Sequence, residues 1–310
     1  YRVYNTYGIR ALLDYNFIKL VRSYDVVLTI FGPHYTWGKS KNNIVGFAQP
    51  WIIYPNNELY QSFSVVKKLF TKLKYYCQKY FYFKADKIIV ELDHVKSELS
   101  KFKNSPEIHV VNNCISSIYS DATKWSKVPF SELKDYDILL GIVARDYPHK
   151  NLGILPKVKD EMWDVYGVRV KFLVTLTAAE WAERDQEFHK CALNLGSLAI
   201  TQCPSFYECV DGVIFPSLLE CFSATPIEAM IMKKPVFASD RIFVKQACEN
   251  FVFYFDPKCA KSIAESIFLY FSKNKEKMLN LAENAYNHAQ KYSNPAQRAI
   301  RFIEIIGSIK

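Results

Sequence analysis

Two glutamates eight positions apart, Glu220 and Glu228, flank residues whose types suit the binding of a sugar joined to a phosphate. The run Phe215-Pro-Ser-Leu-Leu-Glu-Cys-Phe-Ser-Ala-Thr-Pro-Ile-Glu-Ala-Met230 reads as a strand ending at Phe215, a turn carrying Glu220 and a helix starting near Ala224. Phe222, Ser223, Ala224 and Thr225 then stand at the helix N-terminus, where backbone N–H groups without intrahelical partners and the helix dipole favour phosphate. Glu228, one turn in, can accept two ribose hydroxyls, and Glu220 can face a bound sugar. A strand–turn–helix with two solvated glutamates has the same spacing. A second segment, Gly141-Ile-Val-Ala-Arg-Asp-Tyr-Pro-His-Lys-Asn-Leu152, places Arg145 and Lys150 on a loop after an apolar strand. Two cations so placed neutralise a diphosphate and the charge that develops as it leaves; a basic surface loop would look the same.

These residues need strands and helices to hold them. The 310-residue chain is long enough for two domains of about 150 residues each. It is half apolar and 15% aromatic, ample for two cores. Apolar, β-rich runs predict strands over 25–31, 43–48, 85–90 and 108–111 in the first half, and over 137–144, 170–175, 212–215, 235–238 and 251–255 in the second. Helical spacing is expected over 58–84, 93–102 (with Asp93 as N-cap), 150–163, 178–191, 224–233, 241–249, 258–271 and 273–310, the last interrupted near Pro295. The segment between the two series, 114–136, is polar and irregular and reads as a linker. Strand–helix alternation in both halves predicts two parallel-sheet α/β domains with a cleft between them.

With that context, Pro216-Ser-x-x-Glu220-x-Phe222 through Glu228-Ala-Met230, then Lys234-Pro-Val236 and Ala238-Ser-Asp240, resembles the donor-site signature of retaining glycosyltransferase family 4. The likeness runs from about residue 25 to 290 and is strongest over 141–257. It implies a GT-B fold, two Rossmann-like parallel-sheet domains facing a cleft. The expected parts are an acceptor domain over 1–113, a linker over 114–135, a donor domain over 136–290 and a C-terminal helix over 291–310 bracing the first domain. The first domain looks short of an initial strand–helix unit. The implied reaction moves a hexose from a nucleotide-diphosphate sugar to a glycan or lipid-linked acceptor, as in surface polysaccharide synthesis, without a metal or other cofactor. Arg145 and Lys150 would hold the diphosphate, the amides of 222–225 would assist, Glu228 would take the ribose and Glu220 the sugar. Ser223 stands where glycine is common, and Cys114 replaces the glycine of an inter-domain Asn-Gly. Where many relatives place a histidine, this chain has Gln49-Pro50-Trp51, so Gln49 and His34 are the acceptor-side candidates.

The net charge of +9 is uneven, because residues 1–135 carry 19 basic and 11 acidic side chains. Between Val66 and Lys84 six lysines alternate with seven aromatic residues and no acid. On a helix this gives lysine and aromatic faces suited to an anionic lipid surface, as well as to a core-facing aromatic stripe. The expected setting is cytoplasmic, peripheral on the inner face of the cell membrane. No nucleic-acid module is legible. No Gly-x-Gly-x-x-Gly opens either half, which counts against a nucleotide-cofactor oxidoreductase. A non-catalytic GT-B-like module that docks lipid or a partner through the basic helix is the remaining alternative. The eight cysteines show no zinc or redox spacing and read as reduced, buried thiols.

Overall fold

The computed structural model describes residue 4 and residues 12–33, 35–37, 40–130, 135–292 and 294–308. It contains two compact units. Unit 1 comprises Tyr1–Asn113, Glu220–Phe222 and Ala296–Lys310, and unit 2 comprises Cys114–Leu219 and Ser223–Pro295.

In unit 1, strands β1 (Val26–Thr29), β2 (Asn42–Gly46), β3 (Lys87–Val90) and β4 (Glu107–Val110) pair in parallel in that order. Ile44, Val45, Ile88, Ile89 and Val90 are buried, as apolar runs in a parallel sheet should be. Gly46 is obligatory there, since a Cβ would stand 1.7 Å from the Ile30 carbonyl oxygen. The helices are α1 (Tyr15–Arg22), α2 (Pro50–Ile53), α3 (Val65–Tyr82) and α4 (Asp93–Ser100). Three expectations change. The helix expected over 58–84 is broken, with a 3₁₀ turn at Glu58–Ser62 and then α3, which Ser64 caps by accepting the Lys67 N–H at 3.3 Å. Leu92, not Asp93, is the N-cap of α4, and Asp93 lies in the first turn, where its charge still suits the dipole. Gln49-Pro50-Trp51 is not a loop but the start of α2, with Pro50 in the first turn, where no N–H is needed.

In unit 2, β5 (Ile138–Ile142), β6 (Val170–Val174), β7 (Ala192–Asn194), β8 (Gly212–Phe215), β9 (Val236–Ser239) and β10 (Phe253–Phe255) form a parallel sheet in the order β10-β9-β8-β5-β6-β7. Every residue of β5 and β8 is buried. A Cβ on Gly141 would meet the Phe206 ring at 2.9 Å, so only glycine fits mid-strand. The helices are α5 (Leu155–Tyr166), α6 (Ala178–Ala182), α7 (Gln186–Cys191), α8 (Cys203–Glu208), α9 (Thr225–Ile231), α10 (Ile242–Cys248), α11 (Ala260–Phe271) and α12 (Lys275–Ala289). The helix expected over 178–191 is two, because Asp185 accepts the Phe188 N–H at 2.8 Å and starts α7 afresh. Strand β7 and helix α8 are additions to the sequence reading, too short for periodicity to reveal. Residues 114–130 are irregular but fastened within unit 2, through Ile115 N–H to Tyr292 C=O at 2.9 Å and Ser126 N–H to Thr201 C=O at 2.8 Å.

The last helix, α13 (Pro295–Gly307), counts with unit 1 from Ala296 onward. Its Ile305 joins Ile44, Ile89 and Val111 in one apolar cluster, with Phe302 and Ile306 packed against it. Its Arg298 donates to Glu91 Oε1 at 3.2 Å and to Asn113 Oδ1. Burial pushes the Glu91 carboxyl up even with the guanidinium beside it. All eight cysteines are free thiols; Cys191, Cys221 and Cys248 are buried, but Cys77 and Cys259 are exposed, against the expectation for them.

Candidate functional site

In an open parallel sheet, ligands settle outside the carboxyl ends of the strands where the strand order reverses. In unit 2 that point lies between β5 and β8, which pair through Leu140 with Gly212 and Gly141 with Val213. The chain leaving β5 carries Arg145 and Lys150, and the chain leaving β8 leads into α9. The two are tied together. Leu218 N–H donates to the His149 carbonyl at 2.7 Å, and the Thr225 hydroxyl reaches the Val143 carbonyl at 3.5 Å. Ser239, at the end of β9, donates to the Ser217 carbonyl at 2.7 Å and fixes the base of the second loop.

Arg145 is exposed, and its Nε donates to Glu180 Oε1 at 2.8 Å. Glu180 comes from a capping box at the start of α6, in which its Oε2 accepts the Thr177 N–H at 2.9 Å. The same carboxylate accepts the Asp146 N–H at 3.0 Å. Desolvation works against the Glu180 charge, but Arg145 and the Thr177 and Asp146 donors outweigh it and hold its carboxyl at about 2. Arg184 pairs with the Asp146 side chain, so the residue after Arg145 is held through both its N–H and its carboxylate. Lys150 ends a 3₁₀ turn, and its ammonium lies 5.4 Å from the centre of the Phe215 ring. The next residue, Asn151, has φ +57°, a conformation asparagine tolerates, and its amide donates to the Pro257 carbonyl at 2.7 Å.

Helix α9 has Ala224 as N-cap, which offers no side-chain acceptor, and Pro226 in its first turn. Phe222, Ser223, Ala224 and Thr225 are all half-buried. Neither glutamate is a solvated surface charge. Glu220 is only 9% exposed and, with Cys221 and Phe222, counts with unit 1. Glu228 is half-buried in unit 2, and its Oε2 accepts the Tyr207 hydroxyl at 2.9 Å. Burial pushes its carboxyl up, and hydrogen bonds from Tyr207 and Tyr119 partly offset that. Burial and the nearby Glu228 charge push both phenols up in turn, so they remain hydrogen-bond donors. Gln49 is the half-buried N-cap of α2 in unit 1, and His34 lies outside the described residues.

The structure therefore gathers Arg145, Lys150, Thr225 and Glu228 in unit 2 and counts Glu220, Phe222 and Gln49 with unit 1. Sequence reasoning missed three residues that hold the site. Glu180 was legible as the end of Thr177-x-x-Glu180 before a helix. Tyr119 and Tyr207 gave no signal, because only the fold brings isolated tyrosines 109 and 21 positions before Glu228 onto its carboxylate.

Residues 193–288 match a family model described as "Glycosyl transferases group 1". The chain is 26% identical over 200 residues to the O-antigen chain mannosyltransferase RfbU of Salmonella typhimurium, a match covering 64% of this chain and 53% of that protein. It thus spans about half the length of that curated relative. It is similar in structure to sucrose-phosphate synthase from Thermosynechococcus elongatus, with a TM-score of 0.69, 15% identity and coverage of 93% of this chain and 74% of the other. It is similar also to HepE from Anabaena in complex with UDP and glucose, with a TM-score of 0.63, 17% identity and coverage of 95% and 80%. Its fold, two parallel-sheet α/β units, is that of the GT-B glycosyltransferases.

Proposed function

We propose that this chain is a retaining glycosyltransferase that moves a hexose from a nucleotide-diphosphate sugar to a glycan or lipid-linked acceptor in surface polysaccharide synthesis. The observation that carries the reading is the placement of Arg145 and Lys150 beside the start of α9, where the strand order of the unit 2 sheet reverses. Support comes from the family-model match over 193–288 and from a relative named as a mannosyltransferase. A similar structure, titled as a complex with UDP and glucose, agrees with a nucleotide-sugar donor.

In this reading Arg145 and Lys150 take the diphosphate, the backbone amides of 222–225 assist, and Glu228 accepts from the ribose hydroxyls. Glu220 orients the sugar. The bond from the anomeric carbon to the diphosphate breaks as the acceptor oxygen bonds to the same face of the sugar. The acceptor proton passes to the leaving phosphate oxygen, so no side chain of this chain need act as base, and Gln49 is compatible with activity. Neutralisation of the leaving diphosphate by two cations lowers the barrier where negative charge grows. No metal or other cofactor enters the scheme.

The test is thermal unfolding with UDP, GDP, ADP, CMP and dTDP in turn, and NAD as control. A ligand at about 100 times its Kd stabilises by roughly 2.7 kcal/mol, several degrees for domains of this size. One nucleoside diphosphate is expected to raise the midpoint, and Arg145→Ala to abolish the rise. With the matching donor sugar, Glu220→Ala and Arg145→Ala should each cut transfer by orders of magnitude while leaving the fold intact. No shift with any nucleotide would overturn the donor site and favour the non-catalytic module.

A further inference from the structure

Helix α3 touches unit 1 along a narrow side. At the ~100° turn per residue of an α-helix, Thr71, Tyr75 and Tyr82 fall together; Tyr82 is buried, and Tyr75 stacks on Trp51 with ring centres 5.5 Å apart. The opposite side is apolar and in water. Val65, Leu69, Phe70, Leu73, Tyr76 and Tyr80 are each more than half exposed, from 84% at Val65 to 52% at Tyr80. They lie within one sector of about 140° that runs the length of the helix. Lys67 and Lys74 border this sector on one edge, and Lys68, Lys72 and Lys79 on the other. From residue 59 to 85 the sequence holds no acid.

We infer that α3 is a membrane-docking helix that lies in the plane of an anionic bilayer with this sector in the acyl boundary and its two lysine borders among the phosphates. The sequence had left open whether the aromatic stripe faced the core. Most of its large apolar side chains point away from the unit instead. A continuous sector of this width suits a bilayer better than one partner helix, which is met along a narrower seam. Cations on both edges put positive charge at headgroup depth on either side of a helix lying flat. The lysine ammonium groups are held along the helix. Lys79 Nζ lies 4.5 Å from the Phe102 ring centre and Lys67 Nζ 4.4 Å from that of Phe63, cation–π contacts that keep a cation on each edge of the sector. Trp37, half exposed, lines the same groove as Tyr76 and Tyr80 and extends the patch with a residue type favoured at membrane interfaces. The inference does not depend on glycosyl transfer, because it is read without donor or acceptor.

The experiment is flotation of the whole chain with vesicles of phosphatidylcholine alone or with about one-third phosphatidylglycerol. The protein is expected to float with the anionic vesicles and stay behind with the neutral ones. Leu69→Asp with Leu73→Asp should lower the bound fraction at least about tenfold, and so should Lys68→Gln, Lys72→Gln and Lys79→Gln together. All five positions are on the surface, and an unchanged unfolding midpoint would show that the variants still fold. Absence of flotation with anionic vesicles overturns the inference, and so does binding that survives the paired aspartates. A wild-type dimer in sedimentation that Leu69→Asp with Leu73→Asp dissolves would overturn it too, and would make this face a contact between copies of the chain.

Discussion

Glu228 carries its charge against its surroundings. Burial raises its folded pKa above the unfolded value, and the tyrosine hydroxyls recover only part of the difference. The folded state therefore binds the Glu228 proton more tightly than the unfolded state does. This group's contribution to stability is present in full below the unfolded pKa and is lost as pH rises through the folded one. Above the folded pKa the buried carboxylate is a cost, and there Glu228→Gln should unfold at a midpoint equal to or above the wild type. The difference should close near the ordinary glutamate pKa of about 4.3, where the wild-type carboxyl is itself protonated. A lower midpoint for Glu228→Gln at every pH would show that the tyrosine hydrogen bonds outweigh burial. Protein stability commonly gives way to function at such positions. A residue kept at a stability cost beside a candidate nucleotide site is a sound place to look for donor contacts.

Helix α13 is the element whose loss should be felt most locally. Arg298→Ala would leave Glu91 buried with its charge uncompensated, a change worth roughly 3 kcal/mol, and the unfolding midpoint should fall by several degrees. Adding Glu91→Gln should recover much of the loss, since no charge then needs a partner; equal instability of the single and double variants would show that packing of the Arg298 stem dominates. Elements were legible from sequence wherever an apolar run was long enough to show its period. Ile138-Leu-Leu-Gly-Ile142 and Gly212-Val-Ile-Phe215 read as buried strands and are buried throughout. Strand β7, of three residues, and α8, of six, fall below the length at which period 2 and period 3.6 differ. The helix expected over 58–84 failed for another reason: Ser64 offers its hydroxyl to a backbone N–H, and such local side-chain bonds compete with helix continuation. The candidate site was legible where its residues are close in sequence, as Arg145 with Lys150 and Glu220 with Glu228. The Arg145–Glu180 pair and the tyrosines on Glu228 were not, because the sheet topology makes those meetings.

At the scale of the whole molecule, charge and connectivity matter more than any single contact. The sequence pI is about 9.0, and the excess of base lies in residues 1–135. Vesicle binding should weaken as salt is raised, since exposed charges are screened beyond about 10 Å at 0.1 M and about 3 Å at 1 M. It should not vanish, since the apolar sector of α3 is insensitive to screening; complete release by salt alone would mean the lysines act without insertion. The chain order has a different consequence. Unit 1 is assembled from three separate stretches of polypeptide and unit 2 from two. Neither can be excised as one fragment by a single cut. A product stopped after residue 113 would lack Ile305 from its apolar cluster and Arg298 from Glu91, and ending the chain at residue 294 should leave unit 1 in the same condition, detected as protease sensitivity confined to residues 1–113. For a ribosome making this chain, the part of unit 1 up to Asn113 emerges before the stretch from Ala296 that completes it, and stays exposed and incomplete until that stretch arrives.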